Sequence, residues 1–172
     1  IWSVRSRAKG EKSLDIVKKT LEIELFPLIE IIESLESLIQ NSNTKIVIIS
    51  SVAAQFVSNQ HCAYNISKGA IESYVRNIAV KLGRNSDARI NILRAGIVYI
   101  KERSNYFIKD KEILEKASVP RLSIVTAEEI ANLAAFLSSD ESSSLNGSTI
   151  VADGGETILD PVSYTHLRAH ET

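Results

Sequence analysis

Four consecutive β-branched residues, Ile46 to Ile49, occupy the centre of the segment KIVIISS, and polar residues flank them on both sides. β-branched side chains favour extended backbone. A short apolar run without alternation is typical of a strand covered on both faces, as in a parallel sheet. Because parallel neighbours need a crossover of a dozen or more residues, usually a helix, we expect helices between this strand and its neighbours.

Helical patterns do flank this strand. In residues 14–39 the apolar positions recur every three or four residues, and Pro27 predicts a kink or a joint. Residues 64–82 show the same spacing, and Thr126 with Glu129 forms a capping-box pattern before a third helix. ARINILRAG and STIVADGG are two further strand patterns. The order predicts one α/β domain, a Rossmann-like doubly wound parallel sheet with helices on both faces.

Composition narrows the classes of partner. The 172 residues carry a net charge of −1, with 44% hydrophobic and 24% charged residues, which is the balance of a soluble globular protein and does not favour nucleic acid or an anionic membrane as a partner. The longest apolar runs are too short to span a bilayer, and no secretory signal pattern is present. The single Cys62 excludes an internal disulfide and fits a reducing cytoplasm. We therefore predict a cytoplasmic protein without nucleic-acid or membrane partners.

Both ends of the sequence are unusual. The chain has no methionine and begins with Ile1-Trp2, so we interpret it as a fragment that lacks its N-terminal strands; a processed or trimmed chain is the alternative. Residues 161–172, PVSYTHLRAHET, show no apolar period and resemble a translated sequencing adapter; a natural polar tail is the alternative. His166 and His170 are therefore excluded as a metal pair. The predicted biological domain is residues 1–160.

Tyr64, Lys68 and Ser51 form a candidate proton-transfer group. Tyr64 and Lys68 are four residues apart, so they project from one face at the start of a predicted helix. An adjacent ammonium favours the phenolate form and makes the phenol a usable proton donor and acceptor near neutral pH. Ser51 stands thirteen residues before Tyr64, at the strand end where open α/β sheets bind ligands. The alternative, which Y-x-x-x-K alone indicates more often, is a partly buried ring beside a solvated amine.

Four segments, in order and at matching spacing, resemble the short-chain dehydrogenase/reductase family. KIVIISS resembles the strand that ends in the catalytic serine, and YNISK matches the Y-x-x-S-K motif. ARINILRAGIV resembles the segment that carries a proline-glycine pair, and FLSSDESSSLNGSTIVADGG resembles the C-terminal signature. The resemblance covers roughly residues 45–158.

The resemblance implies roles for individual residues. Tyr64 corresponds to the catalytic acid/base, Lys68 to the residue that activates it and bonds the nicotinamide ribose, and Ser51 to the residue that positions the carbonyl. Gly96 and Val98 correspond to positions whose backbone approaches the nicotinamide of NAD or NADP. The implied activity is the interconversion of a small alcohol and a ketone or aldehyde, without a metal, in a homo-oligomer such as a tetramer or dimer.

Several positions depart from the family pattern. Ala95 replaces the proline, Ile100 replaces a threonine, and Glu24 lies nearest to the position of a helix asparagine. The glycine-rich T-G-x-x-x-G-x-G loop does not occur in the sequence, so we expect the chain alone to bind dinucleotides weakly. These departures motivate an alternative, a catalytically degenerate relative with a scaffold or regulatory role. An epimerase of the extended family is a third possibility, which the D-G-G ending disfavours.

Three further polar residues receive structural interpretations. His61 could face the substrate, but a loop histidine is more often solvated. Arg94 follows a strand and could touch the substrate, but we expect it to form a salt bridge. Asp153 is expected to hold the last turn rather than to act in chemistry.

Overall fold

The computed structural model describes residues 12–55, 62–99, 120–121 and 124–158. Its helices are α1 (Ser13–Glu24), α2 (Phe26–Ser34), α3 (Glu36–Asn41), α4 (Cys62–Asn85) and α5 (Ala127–Leu137). Its strands are β1 (Lys45–Ser51), β2 (Arg89–Ala95), β3 (Val98–Tyr99), β4 (Val125–Thr126) and β5 (Thr149–Ala152), and short 3₁₀ turns occur at Val52–Ala54, Asp140–Ser142 and Glu156–Ile158. The predictions for His61, Ile100 and residues 161–172 concern positions outside the described residues.

The main sheet is parallel and has the order β1-β2-β5, with β2 in the centre. The register pairs Ser51 with Ala95, and Ala95 with Ala152. The carboxyl ends of the three strands therefore lie level at one edge of the sheet. β3 and β4 form a second, two-stranded parallel sheet. The predicted α/β class with a parallel sheet is confirmed.

The prediction that β1 is covered on both faces is wrong. Ile90, Ile92 and Leu93 of β2 are fully buried, whereas 47% of Ile49 in β1 is exposed. In the described sheet β2 has a hydrogen-bonded strand on each side and β1 has one on a single side. Helices that pack over the centre of a sheet cover its edge strand less completely, so an apolar run alone does not report the position of a strand in the sheet.

Helices cover the two faces of the sheet. One hydrophobic cluster joins α2, α3 and α4 to the sheet and consists of Ile32, Ile39, Ile71, Val75, Ala79, Leu82, Ala88, Ile90 and Ile92. Side chains alternate along a strand, so Leu93 of β2 belongs to the opposite face, where α5 packs. α1 packs against α4 rather than on the sheet. That packing brings the end of α1 to the first turns of α4.

The helix boundaries follow local chemistry. The helical pattern of residues 14–39 is divided into three helices, and Pro27 lies in the first turn of α2, where its missing N–H leaves no hydrogen bond unmade. The capping box of α5 is present: the Glu129 N–H donates to Thr126 Oγ1 at 3.2 Å, and the Thr126 N–H donates to Glu129 Oε2 at 2.8 Å. Across the described ranges, none of the helices combines the length and apolar character that crossing a membrane requires.

Candidate active site

Ser51 is the last residue of β1 and is held in a defined orientation. Its backbone is extended, and its Oγ accepts a hydrogen bond from the Ala53 N–H at 3.2 Å, which caps the 3₁₀ turn Val52–Ala54. This turn packs against α4, where a Cβ built on Gly69 would lie 3.8 Å from the Ala54 carbonyl oxygen. The serine hydroxyl is therefore fixed at the carboxyl edge of the sheet, next to the start of α4.

Tyr64 and Lys68 lie on one face of α4, as their spacing predicts. The Lys68 Nζ atom is 5.3 Å from the centroid of the Tyr64 ring, within the range of cation–π attraction. Both residues are partly buried. The 3₁₀ turn that follows Ser51 packs against the helix that carries this pair.

Glu24, at the last position of α1, completes the surroundings of Lys68. Its Oε2 is 3.1 Å from Lys68 Nζ and accepts a hydrogen bond from Ser67 Oγ at 2.8 Å. The side chain of Glu24 is 5% exposed and that of Lys68 is 12% exposed, and Ser67 is fully buried. Glu24, the residue that the sequence comparison set nearest to the helix asparagine of the family pattern, thus places a carboxylate against Lys68.

Gly96 follows β2 and lies against the segment after β5. Its N–H donates to the Ala152 carbonyl at 3.0 Å. A Cβ at this position would lie 2.8 Å from both Cα and Cβ of Asp153 and 2.9 Å from Glu156 Oε2, so the close approach requires glycine. Val98 follows in β3 and is half-buried. Gly96 therefore lies at the same sheet edge as Ser51, and Val98 follows it by two residues in the second sheet.

Asp153 holds the turn after β5, in agreement with the sequence interpretation. Its carboxylate accepts from the Gly155 N–H at 2.8 Å and from the Thr157 N–H at 2.9 Å. Gly155 has a φ of 91°, a left-handed conformation that favours glycine. Burial acts to raise the pKa of Asp153, but the hydrogen bonds from Thr157 and Gly155 outweigh it and lower the pKa.

Glu156 follows this turn and is partly buried, and fewer hydrogen bonds offset the cost of burying its carboxylate. Burial raises the pKa of its carboxyl, the Ile97 N–H acts in the opposite direction, and the nearby Asp153 charge raises it further. Within the part of the chain that the structure describes, Glu156 Oε2 is buried and has no hydrogen-bond partner. A carboxylate in this condition is costly to ionise.

A second buried carboxylate joins α4 to the strand ends, and sequence reasoning did not find it. Glu72 is 3% exposed and accepts from Ser50 Oγ at 2.8 Å. Arg94 donates to both of its oxygens, from Nε at 3.0 Å and from Nη2 at 2.5 Å, and donates to Gln55 Oε1 at 2.6 Å. The hydrogen bond to Glu72 raises the pKa of the Arg94 guanidinium. The predicted salt bridge of Arg94 is confirmed.

A sequence signal for Glu72 existed. It lies next to Ile71 and three residues before Val75, which are both buried on the inner face of α4. A charged residue in such a position implies a buried partner. Which residue supplies that partner depends on the packing of α4 against β2, and spacing along the helix does not report it.

The described residues contain no cluster of three or more histidine, cysteine, aspartate or glutamate side chains that could hold a metal ion.

Comparison with known proteins agrees with this architecture. A family model described as enoyl-(acyl carrier protein) reductase matches residues 5–157. The oxidoreductase UcpA of Salmonella typhimurium is 34% identical over 137 residues, covering 75% of this chain and 52% of UcpA. The NADH-dependent enoyl-[acyl-carrier-protein] reductase FabI of Buchnera aphidicola (subspecies Baizongia pistaciae) is 29% identical over 169 residues, covering 92% of this chain and 64% of FabI.

A solved structure shows the same fold. A short-chain dehydrogenase/reductase of unknown function from Caenorhabditis elegans, determined with cofactor, superposes with a TM-score of 0.79 at 25% identity, covering 90% of this chain and 60% of that one. The chain spans about half the length of the curated relative UcpA. The parallel sheet, the arrangement at its carboxyl edge and the family match identify the chain as a member of the short-chain dehydrogenase/reductase family of oxidoreductases.

Proposed function

We propose that the protein interconverts an alcohol and a ketone or aldehyde with NAD or NADP, using Tyr64 as acid/base, Lys68 as the residue that activates it, and Ser51 as the residue that positions the carbonyl. The observation that supports this proposal best is the Lys68 amine 5.3 Å from the centroid of the Tyr64 ring, next to the carboxyl edge of a parallel sheet. Ligands of open α/β sheets bind at that edge.

Each of the proposed residues has a separate role at the substrate carbonyl group. When bound, the nicotinamide supplies a hydride to the carbonyl carbon or takes one from the alcohol carbon. In reduction the Tyr64 hydroxyl gives its proton to the carbonyl oxygen, and in oxidation the phenolate takes the proton of the alcohol. The Ser51 hydroxyl donates a hydrogen bond to the same oxygen, which orients the substrate. The Lys68 ammonium favours the phenolate that is left after proton donation.

The residues present fit the nicotinamide end of such a cofactor. The Lys68 ammonium has three donors, and the ion pair with Glu24 engages one carboxylate oxygen, so the amine is suited to bond a ribose hydroxyl as well. The absence of a Cβ at Gly96 lets the backbone of residues 96–98 lie close to the strand ends. The sequence carries no glycine-rich loop of the T-G-x-x-x-G-x-G type. The chain therefore lacks the loop that would bind the phosphate groups of the cofactor.

A second substrate class has support from the comparisons. FabI of Buchnera aphidicola is named for the reduction of an enoyl group with NADH, and the matching family model carries a similar description. In an enoyl thioester the hydride would instead go to the β-carbon of the carbon–carbon double bond, and the proton of Tyr64 would go to the enolate that forms. We further propose that the substrate is a small molecule and that the protein is cytoplasmic. It is proposed to form a homo-oligomer, dimeric or tetrameric.

The proposal is tested in the full-length gene product with NADH and NADPH against a panel of ketones, aldehydes and enoyl thioesters. We expect turnover of at least one class, and a loss of roughly 10²–10⁴-fold in kcat for Tyr64→Phe, which removes the proton that general acid catalysis supplies. The measurement is the rate of change in nicotinamide absorbance.

Tyr74→Phe is the matched control. Tyr74 lies on the same helix, and its hydroxyl is buried without a hydrogen-bond partner among the described residues, so its removal should leave kcat unchanged. Turnover that survives Tyr64→Phe at the wild-type rate would contradict the assigned role. A wild-type protein that turns over no member of the panel would favour the scaffold or regulatory alternative.

A further inference from the structure

The Glu24 carboxylate stands between two helices at the proposed site. It lies at the end of α1, and its Oε2 contacts two consecutive residues of α4, Ser67 and Lys68. Ser67 Oγ lies 2.8 Å from that oxygen and also lies within 3.0 Å of the Tyr64 carbonyl. One carboxylate oxygen therefore anchors the turn of α4 that connects Tyr64 to Lys68.

The ion pair between Glu24 and Lys68 is buried, which separates it from ordinary surface pairs. The Glu24 side chain is 5% exposed and that of Lys68 is 12% exposed. Removing charges from water is costly unless they are paired and hydrogen-bonded. Water and salt also screen a buried pair little, so the carboxylate acts strongly on the amine. The exposed pair Lys81–Glu36, with exposures of 51% and 30% and an N–O distance of 2.6 Å, has the same chemistry without burial.

The Lys68 amine therefore lies between two groups that both attract its positive charge. Among the described residues, the Glu24 carboxylate from α1 forms an ion pair with it and the Tyr64 ring from α4 lies against it. The ammonium is attracted to the carboxylate and to the electron-rich face of the ring. Its position beside Tyr64 depends on the carboxylate that holds it from the other helix.

We propose that Glu24 is a positioning residue of this site, which fixes the Lys68 amine beside Tyr64 and offsets part of the ammonium charge that the tyrosine experiences; this assignment rests on the proposed role of Tyr64 as acid/base. The carboxylate lowers, but does not cancel, the positive charge that a lone ammonium would present to the tyrosine. Glu24 thereby sets the pH range in which the tyrosine exchanges its proton with substrate.

Glu24→Gln in the full-length gene product tests the charge. Glutamine keeps the length of the side chain and an acceptor for Ser67. An ammonium without its counter-charge favours the phenolate more strongly, and in a buried place it also loses its own proton more easily. Both effects act in one direction, so we expect the whole pH profile of kcat to move to lower pH by on the order of one pH unit.

A second readout does not depend on turnover. Reductive methylation of lysines, followed by peptide mass spectrometry, reports how readily each amine reacts in its unprotonated form. We expect Glu24→Gln to raise the labelling rate of Lys68 several-fold at a fixed pH. Glu36→Gln is the matched control, since Lys81 loses an exposed partner and should keep its labelling rate within twofold.

Two conservative variants separate position from charge. Ser67→Ala keeps both charges but removes the hydroxyl that anchors Oε2, so we expect a lower kcat with an unmoved pH profile. Glu24→Asp keeps the charge on a shorter side chain and should behave in the same way. If Glu24→Gln does not fold, the kcat values and pH profiles of these two variants still test the role of Glu24.

The outcomes distinguish the two proposals. If the wild type turns over substrate but Glu24→Gln leaves both the pH profile and the Lys68 labelling unchanged, the role of Glu24 is overturned while the proposed function stands. If the wild type turns over nothing, the proposed function fails, and the labelling of Lys68 still decides whether Glu24 governs the amine. A wild-type kcat in Ser67→Ala would overturn the positioning part alone.

Discussion

Two buried carboxylates, Glu24 and Glu72, are each paired with a cation, but the geometry of the two pairs differs. Each accepts a hydrogen bond from a serine hydroxyl at 2.8 Å and each pairs with a cation. Glu72 receives both arms of the Arg94 guanidinium, one on each oxygen, whereas Ser67 and Lys68 both contact a single oxygen of Glu24. A guanidinium fork fixes orientation, and an ammonium acts as a compact point charge.

The difference matches the positions of the two pairs. Glu72 connects α4 to Ser50 in β1 and Arg94 in β2, and thus links the helix of Tyr64 to the strand ends that carry Ser51 and Gly96. A rigid bidentate contact suits that structural role. Glu24 holds an amine whose remaining donors are suited to a ligand. If Lys68 acts as proposed, one buried charge pair serves rigidity and the other serves chemistry, and the cation differs accordingly.

The largest expected effect is a loss of stability on breaking the Glu72 pair. Glu72→Ala leaves the Arg94 guanidinium, which is 15% exposed, without a counter-charge, and an arginine cannot discharge by losing its proton. We expect the free energy of unfolding to fall by about 3–5 kcal/mol, as measured by urea denaturation. Glu24→Ala should cost less, because an amine can lose its proton when buried.

Arg76→Ala is the control for this measurement. Arg76 is 55% exposed and lies 3.8 Å from Glu72, so its removal should change stability by no more than about 0.5 kcal/mol. Equal losses for Glu72→Ala and Glu24→Ala would contradict the distinction between the two pairs.

A smaller effect is expected from Arg94→Lys, which keeps the charge and removes the fork. The variant loses one of the two contacts to Glu72 and the contact to Gln55. We expect a loss of about 1–2 kcal/mol, the scale of one or two hydrogen bonds with a charged group. Urea denaturation would show it, and a loss as large as that of Glu72→Ala would show that geometry outweighs charge here.

The smallest effect concerns Glu156, a partly buried carboxylate with no cation paired to it among the described residues, and it has the opposite sign. Because burial raises the pKa of Glu156 above its value in the unfolded chain, the ionised carboxylate destabilises the fold at neutral pH. We expect Glu156→Gln to raise the melting temperature at pH 7. The gain should shrink as pH falls through the raised pKa and vanish below the ordinary range of glutamate.

A gain for Glu156→Gln that persists unchanged at acidic pH would show that packing, rather than ionisation, is responsible. Asp153→Asn offers the contrasting case, since the pKa of Asp153 is lowered by the hydrogen bonds it accepts, against the effect of its burial, and its carboxylate stabilises the fold above that pKa.

Local patterns determined much of this molecule. The β-branched run placed β1 at Lys45–Ser51, the capping box placed the start of α5, and the spacing of four residues placed Tyr64 and Lys68 on one face of α4. Each depends on neighbours within one or two turns or one strand, which periodicity and side-chain chemistry report directly.

Tertiary structure decided the rest. The partial exposure of β1 depends on the order of the strands. The pairing of Glu72 with Arg94 joins residues 22 positions apart, and the contact of Glu24 with Lys68 joins residues 44 positions apart. Such contacts arise from how α1 packs on α4 and how α4 packs on the sheet. Sequence periodicity describes which face of an element is apolar, but it does not state which element covers that face, so the partner of a buried charge is set only when the helices and strands assemble.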